Sequence, residues 1–296
     1  MAMSAERIVY VAGEKDAGRE LKSVLRRELA MSESLISRVK LLGDGILLNG
    51  TRAHTNARIA PGDVISVKIA DEPPDEPLRA AAYPLDIVFE DDYLLILDKP
   101  AGMAVHPGAL SRDECTVANA LAYHIGGSFV FHPVNRLDRG TTGLMAVAKN
   151  AYVHELLKRA LHSERFYREY RAVADGTPQP ERGTLELPVG RAGGSAIKRE
   201  VREDGEAART YYETLSQRDG RAFLRLIPFT GRTHQLRVHM AALGCPLAGD
   251  WLYGVEDRAL IARPALHSYL LRLAHPVTGE PLELTAPLPE DMRRLI

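Results

Sequence analysis

Apolar residues change their spacing along the chain, and each change predicts an element. A short apolar run at residues 8–11 opens it. Between Arg19 and Leu29 the apolar positions Leu21, Val24, Leu25 and Leu29 recur three and four apart, as on one face of a helix. Ser32 or Ser34 can cap a second helix carrying Leu35, Ile36, Val39 and Leu42, which Gly43 and Gly45 end. Residues 46–51 read as a hairpin turning at Asn49-Gly50. Pro61-Gly62-Asp63 is a turn, and residues 64–69 form a strand. The pattern then breaks. Pro73, Pro74 and Pro77 stand among Asp71, Glu72, Asp75 and Glu76, too polar and too constrained for a core. The chain thus divides into a small domain over residues 1–70, a stiff linker at 71–84 and a larger domain over 85–296.

The larger domain opens with Ile87-Val88-Phe89-Glu90 and the apolar residues 93–97 about Asp91-Asp92, a hairpin. Residues 116–125 make a short amphipathic helix, 134–137 a short strand and 144–148 a buried strand. Asn150 caps a helix of about four turns with Tyr152, Leu156, Leu157 and Leu161 on one face. Its other face and end carry Lys158, Arg159, Arg165, Arg168 and Arg171, interleaved with Phe166, Tyr167 and Tyr170. Residues 208–215 and 221–228 alternate and pair about Asp219-Gly220. Gly231 ends a strand and Thr233 can cap the next helix. A hairpin over residues 270–284 about Thr278-Gly279 and a short helix close the domain.

Length and composition narrow the classes. At 296 residues, 45% hydrophobic and 26% charged, the chain has the makeup of a soluble two-domain protein. No apolar run reaches the length of a membrane span, and no signal-peptide core opens the chain, so a cytoplasmic location without membrane contact is expected. Cys115 and Cys245 are too few for a disulfide framework or a Cys-rich metal site. A net charge of −1 argues against a protein that coats nucleic acid nonspecifically, but leaves room for a local basic face.

Chemistry concentrates in residues 132–144. Pro133 biases His132 toward extended backbone, and Gly140 and Gly143 bracket two threonines in a tight turn. The stretch has one carboxylate, Asp138, flanked by Arg136 and Arg139, whose charges favour its ionised form. An Asx turn with surface arginines is the plain alternative. Basic residues interleaved with aromatics suit RNA, where cations meet phosphates and rings stack on unpaired bases; an arginine-rich helix end suits the helix dipole equally. A Gly-rich loop at 193–194, with Arg191, Lys198, Arg199 and Arg202 around it, reads as a basic clamp. His234 and His239 lie five apart, off a shared helical face, and no Cys or Glu completes a metal set.

Arg136-Leu137-Asp138-x-x-Thr141-Thr142-Gly143-Leu144 resembles the signature of the RluA-type pseudouridine synthases, usually written His-Arg-Leu-Asp-x-x-Thr-Ser-Gly. Asn135 stands where His is usual and Thr142 where Ser is usual. Residues 89–107, with Lys99-Pro100-Ala101-Gly102 and His106-Pro107, resemble the family's first motif, in which we read Lys99 and His106 as shaping residues. Residues 169–176 resemble its tyrosine-bearing strand, and 231–239 match its Gly-Arg-Thr-His-Gln-Leu-Arg-Val-His motif almost residue for residue. Residues 249–254, Gly-Asp-Trp-Leu-Tyr-Gly, also fit. Over residues 17–70, two short helices, an Asn-Gly hairpin and a strand look like an S4-type RNA-binding domain, with Arg26, Arg27, Arg38 and Lys40 on its nucleic-acid face.

The resemblance implies an α+β fold: a mixed, largely antiparallel sheet flanked by helices, with a small S4-like α/β domain before it. It implies isomerisation of uridine to pseudouridine in ribosomal or transfer RNA, on free RNA or ribosomal particles, without cofactor or metal; a monomer is expected. Asp138 would be the catalytic carboxylate, Arg237 its paired arginine, and Tyr170 the ring lying against the base. Arg136, Arg139, Thr142, Arg232, His234, Gln235, Lys198 and Arg199 would contact RNA. The target base would be turned out of its stack. Two other classes compete: a non-catalytic RNA-binding or ribosome-assembly factor, and a nucleoside or glycoside hydrolase, which needs a second carboxylate near Asp138.

Overall fold

The apolar runs of the first 70 residues close on one another in the computed structural model, which describes residues 2–3, 6–72, 75–108, 114–126, 129–161, 163 and 165–296. Strands Ala2–Met3, Arg7–Val11, Val64–Lys68, Ile46–Leu48 and Thr51–Arg52 neighbour one another in that order, every pair antiparallel. Helices Leu21–Arg27 and Glu33–Val39 bury Leu21, Val24, Leu25, Leu35, Ile36 and Val39 with Ile8, Ile46, Ile65 and Val67. Of the two serines that could cap the second helix, Ser32 does so, accepting from the Leu35 amide at 3.0 Å. The hairpin turns at Asn49 (φ 51°) and Gly50 (φ 80°), the left-handed pair its sequence calls for.

The larger sheet has ten strands. Its main path runs Arg182–Glu186, Arg209–Arg218, Arg221–Pro228, Phe166–Asp175, Leu266–Ala274, Thr142–Ala148, Leu94–Lys99 and Asp86–Glu90. Pro281–Thr285 adds to Leu266–Ala274, and His132–Pro133 to Thr142–Ala148. Among the described pairings in this sheet, one is parallel: Thr142–Ala148 against Leu266–Ala274, at His267 with Thr142 and Ser268 with Gly143. The sheet is therefore mixed and largely antiparallel. Helices Val117–Ile125, Ala151–Leu161 and Gln235–Ala242 bury apolar positions against the rest of the chain. Thr116 and Asn119 form a capping box on the first, and Asn150 caps the second by accepting from Val153 at 2.9 Å. No described helix is long and apolar enough to cross a membrane.

The small domain is seated on the large one. One apolar cluster contains Leu25, Leu29, Met31 and Leu35 together with Ile96, Leu144, Tyr152 and Leu157. The buried Tyr152 hydroxyl donates to the Leu29 carbonyl at 2.8 Å, the Ser32 amide donates to Glu155 at 3.1 Å, and Arg159 donates to the Ala30 carbonyl at 2.6 Å. The described part of the proline-rich stretch is also tied down. Asp71 meets His132 at 2.7 Å, the Asn119 amide group donates to the Arg79 carbonyl at 2.8 Å, and the Ala81 amide donates to the Asn119 carbonyl at 3.1 Å. Pro73 and Pro74 lie outside the described residues.

Three expected elements differ. Residues 134–137 are not a strand. After Val134, whose amide donates to Ala146, the side chain of Asn135 takes over the ladder. Its oxygen accepts from the Ala146 amide at 2.8 Å and its nitrogen donates to the Leu144 carbonyl at 3.4 Å, which frees the backbone to turn away. The helix after Asn150 has 11 residues, about three turns rather than four, because Phe166 already begins a strand. Thr233 caps nothing: His234, at φ 59°, opens the helix, and Gln235 accepts from the Arg232 amide at 3.0 Å instead.

Gly143 holds the parallel pairing. It sits at φ 106°, and a Cβ there would lie 2.2 Å from the Ser268 carbonyl oxygen, a backbone atom that cannot yield. We expect Gly143→Ala to destabilise the folded chain by about 3 kcal/mol or more, through strain and overpacking together, as read by urea denaturation. An unchanged midpoint would show that the two strands can separate freely.

Candidate active site around Asp138

The loop that carries Asp138 is held from two sides. Lys99, fully buried at the end of its strand, donates from Nζ to the carbonyls of Pro100 (2.7 Å), Met103 (2.9 Å) and Arg139 (3.2 Å). Burial pushes its pKa down to about 7, and nothing but an ammonium carries three donors for those three acceptors. The Gly102 amide also donates to the Arg139 carbonyl, at 2.9 Å. On the other side Arg263 donates to the Gly140 carbonyl at 3.2 Å while gripping Asp291 at 2.7 and 2.8 Å. Between these anchors the Thr141 amide closes a turn onto the Asp138 carbonyl at 3.0 Å. Lys99 thus has the shaping part read for it. His106 is exposed and packs edge-on against Phe131.

The Asp138 side chain, 28% exposed, meets Arg237 at 3.4 Å and lies 4.0 Å from Nε2 of His234. Arg237 is therefore beside the carboxylate, but its strong partner is another. Its Nε and Nη2 donate to the two oxygens of Asp250, both at 2.7 Å, in a fully buried bidentate pair. Asp250 also accepts from the Leu252 amide at 3.1 Å, and the guanidinium lies 5.0 Å from the ring centre of Tyr253. The Tyr253 hydroxyl is 2.8 Å from Nδ1 of His234. Burial lowers the pKa of His234. Asp250 is thus the residue missing from the sequence assignment. Its motif was visible there, but not its bond to Arg237.

Tyr170, from the strand Phe166–Asp175, lines one cleft with Asp138, Arg136, Arg168, Thr141 and Arg237. Tyr170 is 6% exposed, and burial raises its phenol pKa. The run of basic and aromatic residues here is not one RNA-facing surface. Phe166 is in the core. Tyr167 and Arg171 bond to Glu169, and Arg171 stacks 4.3 Å from the Tyr269 ring. Arg168, on the cleft side with Tyr170, belongs to a strand rather than to a helix end.

Several sequence-assigned contacts have other employment. Arg139 turns away to Glu114, at 2.6 and 3.2 Å, so the cation at Asp138 is Arg237 rather than this neighbour. The Thr142 hydroxyl is buried against Nδ1 of His267 at 2.8 Å, not turned to the cleft. The Gln235 amide has spent all its bonds: it accepts from Thr230 and Arg232, and donates to the Arg209 carbonyl and Thr210. Arg232 edges the cleft but bonds Glu206 and the Ala207 carbonyl. Arg136 stands exposed at its mouth. Lys198 is exposed and Arg199 half-buried on a two-stranded ribbon, Val189–Arg191 with Arg199–Val201; the Arg199 amide donates to the Tyr253 hydroxyl at 2.8 Å. Arg26, Arg27, Arg38 and Lys40 are exposed on the small domain and do not line this cleft; Arg26 pairs with Glu33, and Arg38 lies 3.8 Å from Asp71. No three His, Cys, Asp or Glu side chains among the described residues are placed to hold a metal ion.

Removing one member of the buried pair strands the other. Asp250→Ala should destabilise the chain by about 3–5 kcal/mol in urea denaturation, the scale expected for an uncompensated buried guanidinium. A loss under about 1 kcal/mol would mean that Arg237 finds solvent or Asp138 instead.

A protein with this fold and cleft has recognisable relatives. Residues 93–242 match the family described as RNA pseudouridylate synthase. The chain is 38% identical over 272 residues to the uncharacterized RNA pseudouridine synthase YjbO of Bacillus subtilis, covering 91% of this chain and 95% of that protein. It is 35% identical over 303 residues to ribosomal large subunit pseudouridine synthase D of Xanthomonas campestris, covering 97% of this chain and 90% of that protein. Among solved structures, human RNA pseudouridylate synthase domain containing 1 superposes with a TM-score of 0.58 at 28% identity, over 72% of this chain and 86% of that one. The chain belongs to the RNA pseudouridylate synthase family, and is an isomerase.

Proposed function

We propose that this enzyme converts specific uridines of large-subunit ribosomal RNA to pseudouridine, with Asp138 as the catalytic carboxylate. The observation that carries the chemical assignment is the cleft itself: one carboxylate, presented on a braced turn, shares it with Tyr170 and meets an arginine fixed by a second acid. The choice of RNA rests on relatives such as the Xanthomonas protein, whose name specifies the large ribosomal subunit.

The parts suit an isomerisation that adds and loses no atoms. Asp138 acts at the sugar, either adding to the anomeric carbon or taking a sugar proton, while the bond to the base nitrogen breaks. Arg237, held on Asp250, fixes the carboxylate's orientation at little reorganisation cost. Tyr170 supports the base, which has left its stack to reach the cleft. Exposed Arg136 and Lys198 are free to meet phosphates. The small N-terminal domain, S4-like in its order of helices and hairpin, adds RNA affinity through Arg27 and Lys40.

Pseudouridine mapped by position in total RNA, from cells with and without the gene, tests the reading. Loss at one or a few large-subunit positions is expected, restored by the wild-type gene and not by Asp138→Ala. Full restoration by Asp138→Ala would favour a non-catalytic assembly factor. In vitro, Asp138→Asn should reduce turnover at least about 10³-fold with RNA affinity within a few-fold. Lys99→Met should also slow turnover, about 10²-fold, because a misplaced Asp138 loop disturbs the chemistry more than binding. Loss of RNA affinity alone would contradict a bracing role for Lys99.

A further inference from the structure

One buried cation in the cleft has no counter-charge among the described residues. Arg168 is 7% exposed, and burial lowers its pKa. Its Nη2 donates to the Pro228 carbonyl at 3.3 Å, its buried Nε has no acceptor, and it makes no ion pair among the described residues. The other buried arginines here are treated differently. Arg237 has Asp250, and Arg263 has Asp291 with three carbonyls. A guanidinium has five N–H donors, and burying it with so few partners is costly unless something else completes it. A second orphan stands nearby, the buried Thr141 hydroxyl, and both line the same cleft as Asp138 and Tyr170.

We propose that Arg168 is a catalytic residue that receives the negative charge of the uracil ring when its bond to the ribose breaks, with Thr141 as a second donor to the ring. This deepens the functional reading above and rests on it. When the bond from C1′ to N1 breaks, both electrons go to the ring and spread over N1 and the two carbonyl oxygens. Asp138 balances the sugar, by adding to C1′ or by taking a proton from C2′. After the ring turns, its electron pair at C5 forms the new bond to C1′, any carboxylate bond or lost proton is returned, the C5 proton leaves, and N1 gains one. A guanidinium beside a ring carbonyl bonds weakly to neutral uracil and strongly to the anion, so its benefit falls in the transition state. A backbone phosphate is the other anion in reach of RNA, but phosphates stay at the wet mouth, where Arg136 stands exposed, while Arg168 is beneath.

The test uses the full chain, an unmodified transcript of large-subunit ribosomal RNA, and Arg168→Met and Arg168→Lys beside wild type. We expect Arg168→Met to lose at least 100-fold in single-turnover rate at saturating enzyme, with RNA Kd within threefold. Arg168→Lys should recover at least tenfold of that loss, since it restores the charge. The proposal is overturned if the Met variant keeps its rate within threefold, if the loss is confined to Kd, or if Lys is no better than Met while its thermal transition matches wild type. Should the Met variant not fold, Arg168→Gln, which removes the charge but keeps donors, takes its place: a rate within threefold of wild type, or a defect confined to Kd, overturns the proposal, and a slowed rate with normal Kd that Lys partly restores supports it. A wild-type enzyme that forms no pseudouridine in the transcript fails the functional reading and this one with it; a normal wild type beside an unimpaired Met variant fails only this one.

Discussion

The buried pair between Arg237 and Asp250 is the interaction on which the site depends. Two bonds of 2.7 Å fix the plane of the guanidinium, and the one remaining nitrogen that reaches the cleft meets Asp138 at 3.4 Å. The division of labour follows from the distances. An arginine locked onto Asp138 in a bidentate grip would occupy both oxygens of the carboxylate. An arginine without Asp250 would be an uncompensated buried charge with nothing to fix its plane. With Asp250 present, Arg237 supplies orientation and field while one edge of the carboxylate stays open. The pair also anchors the surrounding segment, because Asp250 accepts backbone amides from Leu252 and Tyr253.

The placement of Asp138 depends in turn on a backbone approach that only glycine allows. Gly143 lets Thr142–Ala148 run parallel to Leu266–Ala274 at van der Waals contact, and the chain just before it is the turn that carries Asp138. Lys99 and Arg263 then hold the carbonyls of Arg139 and Gly140. Lys99 is spent on backbone oxygens, and Arg263 divides its donors between Asp291 and backbone carbonyls, which makes the turn rigid yet leaves its one carboxylate unpaired by its own neighbours.

Much of this was legible in the sequence because it is local. Hairpins at Asn49-Gly50 and Asp219-Gly220, the helix capped by Asn150, and the alternation of residues 221–228 follow from backbone preferences that need no tertiary partner. Asp138, Tyr170 and Arg237 could be named from motif spacing, and the fold brings them to one cleft. What could not be read were choices of partner. The motif paired Arg237 with Asp138, but only the fold sends the neighbouring Arg139 to Glu114 and gives Arg237 its stronger bond to Asp250. Gln235 and Thr142 have the right chemistry to touch a nucleotide, but long-range bonds consume it. The basic and aromatic run at 165–171 failed as a single surface for a simpler reason. A strand sends alternate side chains to opposite faces, so Arg168 and Tyr170 part company with Tyr167, Glu169 and Arg171.

Asn135 shows how a departure from the family signature can leave the chemistry alone. It is buried away from the cleft, and its amide replaces two ladder bonds at the point where the chain leaves the sheet. The position demands one acceptor and one donor at fixed separation, which an amide side chain supplies without titrating. A charged or apolar residue there would leave the Ala146 amide or the Leu144 carbonyl without its bond and loosen the turn that presents Asp138. The constraint is geometric rather than catalytic. It therefore bears on where the carboxylate stands.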